Sequence, residues 1–159
     1  MNGLDLGQLK HCVVVPTLEA LGLAQPAAIN LVTGTALVET RCVYLRQLGA
    51  GPALGLWQME PETHDDCWVN YLNFPVRHAL HVTIRAMLAP DLPPLAQLVS
   101  NLRYACAMTR VRYLRAPAPL PDARDAAALS AYHKRYYNTV LGAADVAANR
   151  AMFAEALTV

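Results

Sequence analysis

The residues best suited to chemistry lie in two short stretches. Thr35-Ala36-Leu37-Val38-Glu39-Thr40-Arg41 holds one acid among apolar neighbours; Pro52-Ala53-Leu54-Gly55-Leu56-Trp57-Gln58-Met59-Glu60-Pro61-Glu62-Thr63 follows, with Gln58 nineteen positions after Glu39. An ordinary glutamic acid titrates near ~4.3. To deliver a proton near neutral pH it must be stripped of water, because burial disfavours the carboxylate. Leu37 and Val38 are neighbours of the kind that would do this. The competing reading is structural. An acid on an apolar helix face is more often partly exposed or ion-paired, here with Arg41 or Arg46 as a partner, and Gly55–Pro61 can be an ordinary turn whose Trp57 fills the core.

Other clusters of reactive residue types carry less. Glu62, His64, Asp65, Asp66 and Cys67 form a dense run without a spaced second cluster, which fits an acidic helix N-terminus better than zinc. His78 and His81 share a helix face but have no carboxylate at a motif position, so they read as surface histidines. Cys12, Cys42, Cys67 and Cys106 are scattered without a CxxC pair and read as buried reduced thiols. No metal or cofactor is called for.

The elements that must position Glu39 are helices. Leu18–Leu23 ends a first helix with Gly22 as its stop, and Pro26 opens the next. Ile29, Val32, Ala36, Val43 and Leu48 recur at helical spacing, which predicts a long core helix over about 27–47, weakened by Gly34 and three threonines and ended by Leu48-Gly49-Ala50-Gly51-Pro52. Thr63 is placed to cap a helix through Asp65, Asp66, Cys67 and Trp68. Further helices are predicted over 76–88, 95–112, 129–136 and 145–157, with a proline-rich loop over 116–125. Nothing alternates at period two for long. The expectation is an all-α, or nearly all-α, single domain spanning 1–159.

Composition narrows the function classes. Hydrophobic residues make up 55% and charged residues 16% of the 159, which argues for a buried core and against disorder. A net charge of +1 gives no electrostatic reason to expect nucleic acid as a partner. No stretch reaches the ~18 apolar residues of a membrane span. Asp5 interrupts the pattern of a secretory signal, so synthesis in a cytoplasm without a signal peptide is expected.

Leu37-Val38-Glu39-Thr40, then Gly55-Leu56-Trp57-Gln58, then Pro61 and Thr63, resemble the signature of the soluble lytic transglycosylase and goose-type lysozyme families. There a Glu after an apolar pair, usually followed by Ser, precedes Gly-Leu-Met-Gln and then a Pro and a Thr. The resemblance covers roughly residues 29–70. A third family element, Ala-Tyr-Asn, corresponds to Tyr136-Tyr137-Asn138, with Tyr in the first place and Gly142 where the family is glycine-rich. The segment Leu48–Gly55 also resembles one in small phage-encoded proteins.

The resemblance implies a lysozyme-like domain that cleaves peptidoglycan between N-acetylmuramic acid and N-acetylglucosamine. It implies Glu39 as catalytic acid and then base, forming a 1,6-anhydro ring without an obligatory second carboxylate. Thr40, Gln58, Met59, Thr63, Tyr137 and Asn138 would face the substrate, with Tyr137 orienting Glu39; Tyr136 and Tyr137 can equally be packing residues. Asp65 or Asp66, facing the cleft, would turn the reaction toward water attack and lysozyme chemistry. The expected partners are peptidoglycan glycan strands, at the bacterial cell wall, for a phage lysis or entry protein carried to the wall or in the virion. The alternative is a virion structural or assembly protein on the same scaffold, with little or no activity and other virion proteins as partners.

Overall fold

Pro26 opens the helix that carries Glu39, because its missing N–H falls where a helix start has no partner to offer. The computed structural model describes residues 3–137 and 146–159, and eight helices run through them. Helix α1 (residues 6–20) starts at Asp5, whose carboxylate accepts the Gln8 N–H at 2.9 Å. It widens into π turns over Leu9–Val14 just before Pro16, where a regular ladder would lack a donor.

Helix α2 (Pro26–Thr40) ends seven residues short of the expected 47. Arg41 and Cys42 both take left-handed backbone angles, φ 52° and 57°. The Thr40 hydroxyl bonds Ala36 O and Leu56 O, and Cys42 O accepts the Leu4 N–H, so the chain is pulled out of the helix there. Val43 and Leu48 therefore do not extend the buried stripe, and Leu48 is 67% exposed. Gly34 has a positive use: a Cβ there would lie 2.3 Å from the Phe153 ring, so its absence lets α8 lie against α2.

Helix α3 (residues 61–72) begins at Pro61 after an extended Glu60, so Thr63 sits inside its first turn and does not cap it. Its last residues, Trp68–Leu72, again form π turns. Helix α4 (residues 75–85) is shorter than its apolar spacing suggested. The single helix expected over 95–112 is two, α5 (Gln97–Ser100) and α6 (Leu102–Leu114). Asn101 breaks it: its side chain accepts the Tyr104 N–H at 3.0 Å and donates to Met87 O at 2.9 Å, capping α6. Helix α7 (Ala126–Tyr136) starts three residues earlier than expected because Asp125 caps it through the Ala128 N–H. Helix α8 (Val146–Thr158) completes the chain.

The core forms around α2, whose residues 31–37 are buried on every side. It packs against α8, α7, α6 and α1. Tyr132 OH donates to Ala118 O and Asn30 Nδ2 to Ala123 O, which ties down the proline-rich 116–125 loop. Among the described residues the extended pairing is confined to isolated bridges, Arg46 with Leu54 and Leu54 with Met59, and there is no sheet. The fold is all-α, as expected. Among the described residues no helix is long and apolar enough to cross a membrane. Cys42, Cys67 and Cys106 are buried and free as expected, whereas Cys12 is exposed.

Candidate functional site

Glu39 lies in the last turn of α2 with 16% of its side-chain surface exposed. A helix C-terminus carries the negative end of the peptide dipole, so helix stability does not explain an acid there. Its partner is neither Arg41 nor Arg46. His133, on α7, brings Nε2 to 2.8 Å from Glu39 Oε1, and its own side chain is fully buried. The His133 ring stacks on Tyr137 at 5.7 Å and 22° and packs against Phe153 of α8 at 5.7 Å. Its other nitrogen, Nδ1, is buried without a hydrogen-bond partner.

Two phenols stand close to the acid. Tyr113 and Tyr137 stack at 5.2 Å, and Thr35 Oγ1 lies 2.7 Å from the Tyr113 hydroxyl. Burial first, and the nearby Glu39 charge among the lesser causes, pushes both phenols well above the ordinary tyrosine range. They are neutral donors at any working pH.

The turn carrying Gly55-Leu56-Trp57-Gln58 is held against this end of α2 by side chains. Three successive carbonyls each take a donor: Gly55 O from Gln58 Nε2 at 2.9 Å, Leu56 O from the Thr40 hydroxyl at 2.8 Å, and Trp57 O from the Tyr137 hydroxyl at 2.7 Å. Trp57, 1% exposed, returns its indole N–H to Val32 O of α2 at 2.9 Å. Gly55 and Gln58 adopt φ of 77° and 48°, and a Cβ on Gly55 would meet Leu98 O at 2.1 Å. This requirement for glycine is steric as well as conformational.

The expected site residues divide accordingly. Glu39, Thr40, Gln58 and Tyr137 come together in one cluster with the turn. Within it Thr40 is buried, and its hydroxyl is used by backbone. Tyr137 gives its proton to Trp57 O, and His133 is the residue hydrogen-bonded to Glu39. Met59 is a core residue at 3% exposure, and Thr63 is half-buried on α3. Asn138 lies outside the described residues.

Asp65 and Asp66 are engaged on the α3 side of the molecule. Asp65, 70% exposed, accepts from His64 Nδ1, and His64 Nε2 meets the Tyr104 hydroxyl at 2.7 Å. Asp66 pairs with Arg115 on the end of α6; hydrogen bonds from Asn70 and then Arg115 hold its carboxyl below the usual range. His64 and Cys67 are buried, so the acidic patch at the start of α3 is Glu62, Asp65 and Asp66. His81 is not simply a surface histidine: it is half-buried, edge-on to Trp68 at 5.3 Å. Among the described residues no group of three His, Cys, Asp or Glu could hold a metal ion.

His133 was missed from sequence, although a signal for it existed. It stands four residues before Tyr137, hence on the same face of one helix. Comparison with known proteins adds nothing to these contacts: no family model, curated protein or solved structure matches the chain.

Proposed function

We propose that this chain is a muralytic glycosidase, a lytic transglycosylase in preference to a lysozyme, with Glu39 as its acid and base. The observation that carries the reading is the meeting of a nearly buried acid with the Gly55–Gln58 turn through Thr40, beside the packed rings of Tyr113, Tyr137 and His133. Cleavage starts when Glu39 protonates the oxygen bridging N-acetylmuramic acid and N-acetylglucosamine. The same carboxylate then takes the proton of the C6 hydroxyl, and that oxygen closes a 1,6-anhydro ring.

A second carboxylate supports water-based routes. Asp65 and Asp66 are engaged by His64 and Arg115 on α3 and α6, which favours the one-carboxylate reaction. The place of action on this reading is the bacterial wall, reached during phage lysis or from a virion during entry.

The test is digestion of purified peptidoglycan by wild type and Glu39→Gln, with mass analysis of released muropeptides. Anhydro-muropeptides from the wild type alone are expected. Reducing-end products would move the reaction to hydrolysis, and no release from a folded wild type would remove the enzyme reading. A virion structural subunit on the same scaffold is the second reading. It is favoured by four exposed apolar side chains in one stretch: Val69 at 60%, Phe74 at 49%, Val76 at 81% and Val82 at 50%.

A further inference from the structure

The buried histidine beside the acid decides which carboxyl oxygen can do the work, an inference that rests on the muralytic reading above. His133 is fully buried, its Nε2 meets Glu39 Oε1 at 2.8 Å, and its Nδ1 has no partner. A buried N–H without an acceptor forfeits a whole hydrogen bond, whereas a bare ring nitrogen forfeits a weaker acceptor interaction. The proton of a neutral ring therefore belongs on Nε2, pointing at Oε1.

We propose that His133 is a positioning residue that donates from Nε2 to Glu39 Oε1 throughout the reaction, so that the transferable proton is carried on Oε2 alone. When Glu39 is protonated, Oε1 is the carbonyl oxygen and still accepts from Nε2–H, while Oε2–H faces the bridging oxygen. Oε2 gives up that proton as the glycosidic bond breaks. The resulting carboxylate keeps its His133 bond and takes the C6 hydroxyl proton back on Oε2 as the anhydro ring forms. No proton is gained or lost over the cycle, and the imidazole never changes tautomer.

The ring is built to hold this pose. Tyr137 covers one face, and Phe153 packs against it from α8. Tyr137, which the family resemblance marks as the residue orienting the acid, gives its hydroxyl to Trp57 O and supports the histidine by stacking. In this chain the acid is held by the imidazole one helical turn before the phenol.

Two measurements test this. Nitrogen-15 NMR of the histidine side chains in the wild-type protein reads the tautomer directly, and Nε2–H with a bare Nδ1 is expected for His133. Steady-state kinetics on peptidoglycan compare His133→Phe, which keeps a stacking ring without a donor, and His133→Gln, which keeps a donor at similar reach. His133→Phe should lose kcat by about 100-fold with KM unchanged, the size of effect that misplacing a reacting group produces. His133→Gln should recover most of the loss. An Nδ1–H tautomer overturns the proposal whatever the kinetics show, and so does full activity in a folded His133→Phe. Should His133→Phe fail to fold, the wild-type spectrum and the Gln variant decide. A folded wild type that releases no muropeptide removes the muralytic reading and this proposal with it. Activity lost in Glu39→Gln but retained in His133→Phe removes the proposal alone.

Discussion

Replacing Gly55 with alanine tests the seat of the turn beneath Glu39, and the structure supplies its own control. At Gly55, φ is 77° and an added Cβ would lie 2.1 Å from Leu98 O and 3.0 Å from Leu98 C. Real Cβ atoms do not approach a backbone oxygen closer than 3.0 Å, so the turn and α5 must separate by about an ångström. Alanine in left-handed backbone costs ~1–2 kcal/mol, and forcing an extra carbon into a packed site adds ~1–3 kcal/mol. Gly49 has nearly the same backbone, φ 83°, with nothing within 4 Å of its Cβ position. Gly49→Ala should therefore lose only the strain, about 1–2 kcal/mol, while Gly55→Ala loses about 2–5 kcal/mol. Urea unfolding of wild type and both variants, with unchanged slopes, measures the two losses on one scale. A Gly55→Ala loss within about 0.5 kcal/mol of Gly49→Ala, the scatter of an ordinary surface change, would refute the close approach to Leu98 and the placement of the turn with it.

The remaining expectations concern the core. Burial pushes the Cys42 thiol up to about 11, and the Cys106 thiol and Tyr104 phenol up to about 12. Unfolded thiols and phenols release their protons near ~8.5 and ~10. Their protonated forms thus stabilise the fold below those values, and the contribution is lost as pH rises. Between about pH 10 and 11 unfolding sheds most of a proton from each of these groups, and the raised Tyr113 and Tyr137 phenols add to them, so stability should fall by at least about 3 kcal/mol per pH unit; urea midpoints that stay flat through that window under reducing conditions would contradict it. Arg110 is 4% exposed, its Nε has no partner, and desolvation lowers its proton affinity. Arg110→Met should then raise stability, by up to about 1–4 kcal/mol on the pattern of buried ionic groups replaced by apolar ones, and a clear loss in thermal or urea unfolding would show that the guanidinium has a partner. Asn101→Ala removes the α6 cap and the bond to Met87 O, at a cost of about 1–2 kcal/mol readable in the same assay.

Helix content and the start at Pro26 were legible because they rest on local chemistry, whereas Pro61 and Asp125 act just as locally and were passed over for starts at Thr63 and 129. Helix ends were less legible because they depend on distant partners. The apolar period over 29–48 runs on past Thr40, and the helix stops because of bonds to distant chain, from the Thr40 hydroxyl to Leu56 O and from Leu4 N–H to Cys42 O. Asn101 sits inside an apolar pattern that reads as one helix, yet its amide has a carbonyl to reach on Met87 and turns into a cap. Gly34 looked like a weak point because propensity counts a glycine against the helix, whereas the fold uses the missing side chain to seat Phe153.

The candidate site divides along the same line. Glu39 and the turn were visible because they lie close together in the chain, and His133 was not, because it arrives from ninety-four residues away. The roles of the flanking residues change more than their membership. Gln58, Thr40 and Tyr137 donate in turn to the carbonyls of Gly55, Leu56 and Trp57, so the groups that a sequence pattern offers as substrate contacts hold up the backbone. A left-handed turn leaves carbonyls that no helix or sheet ladder satisfies, and buried carbonyls need donors. Those donors are supplied by the residue types that the pattern contains. The spacing of these residues is thus fixed first by the turn's own hydrogen bonding, and the acid beside it takes its partner, His133, from another helix.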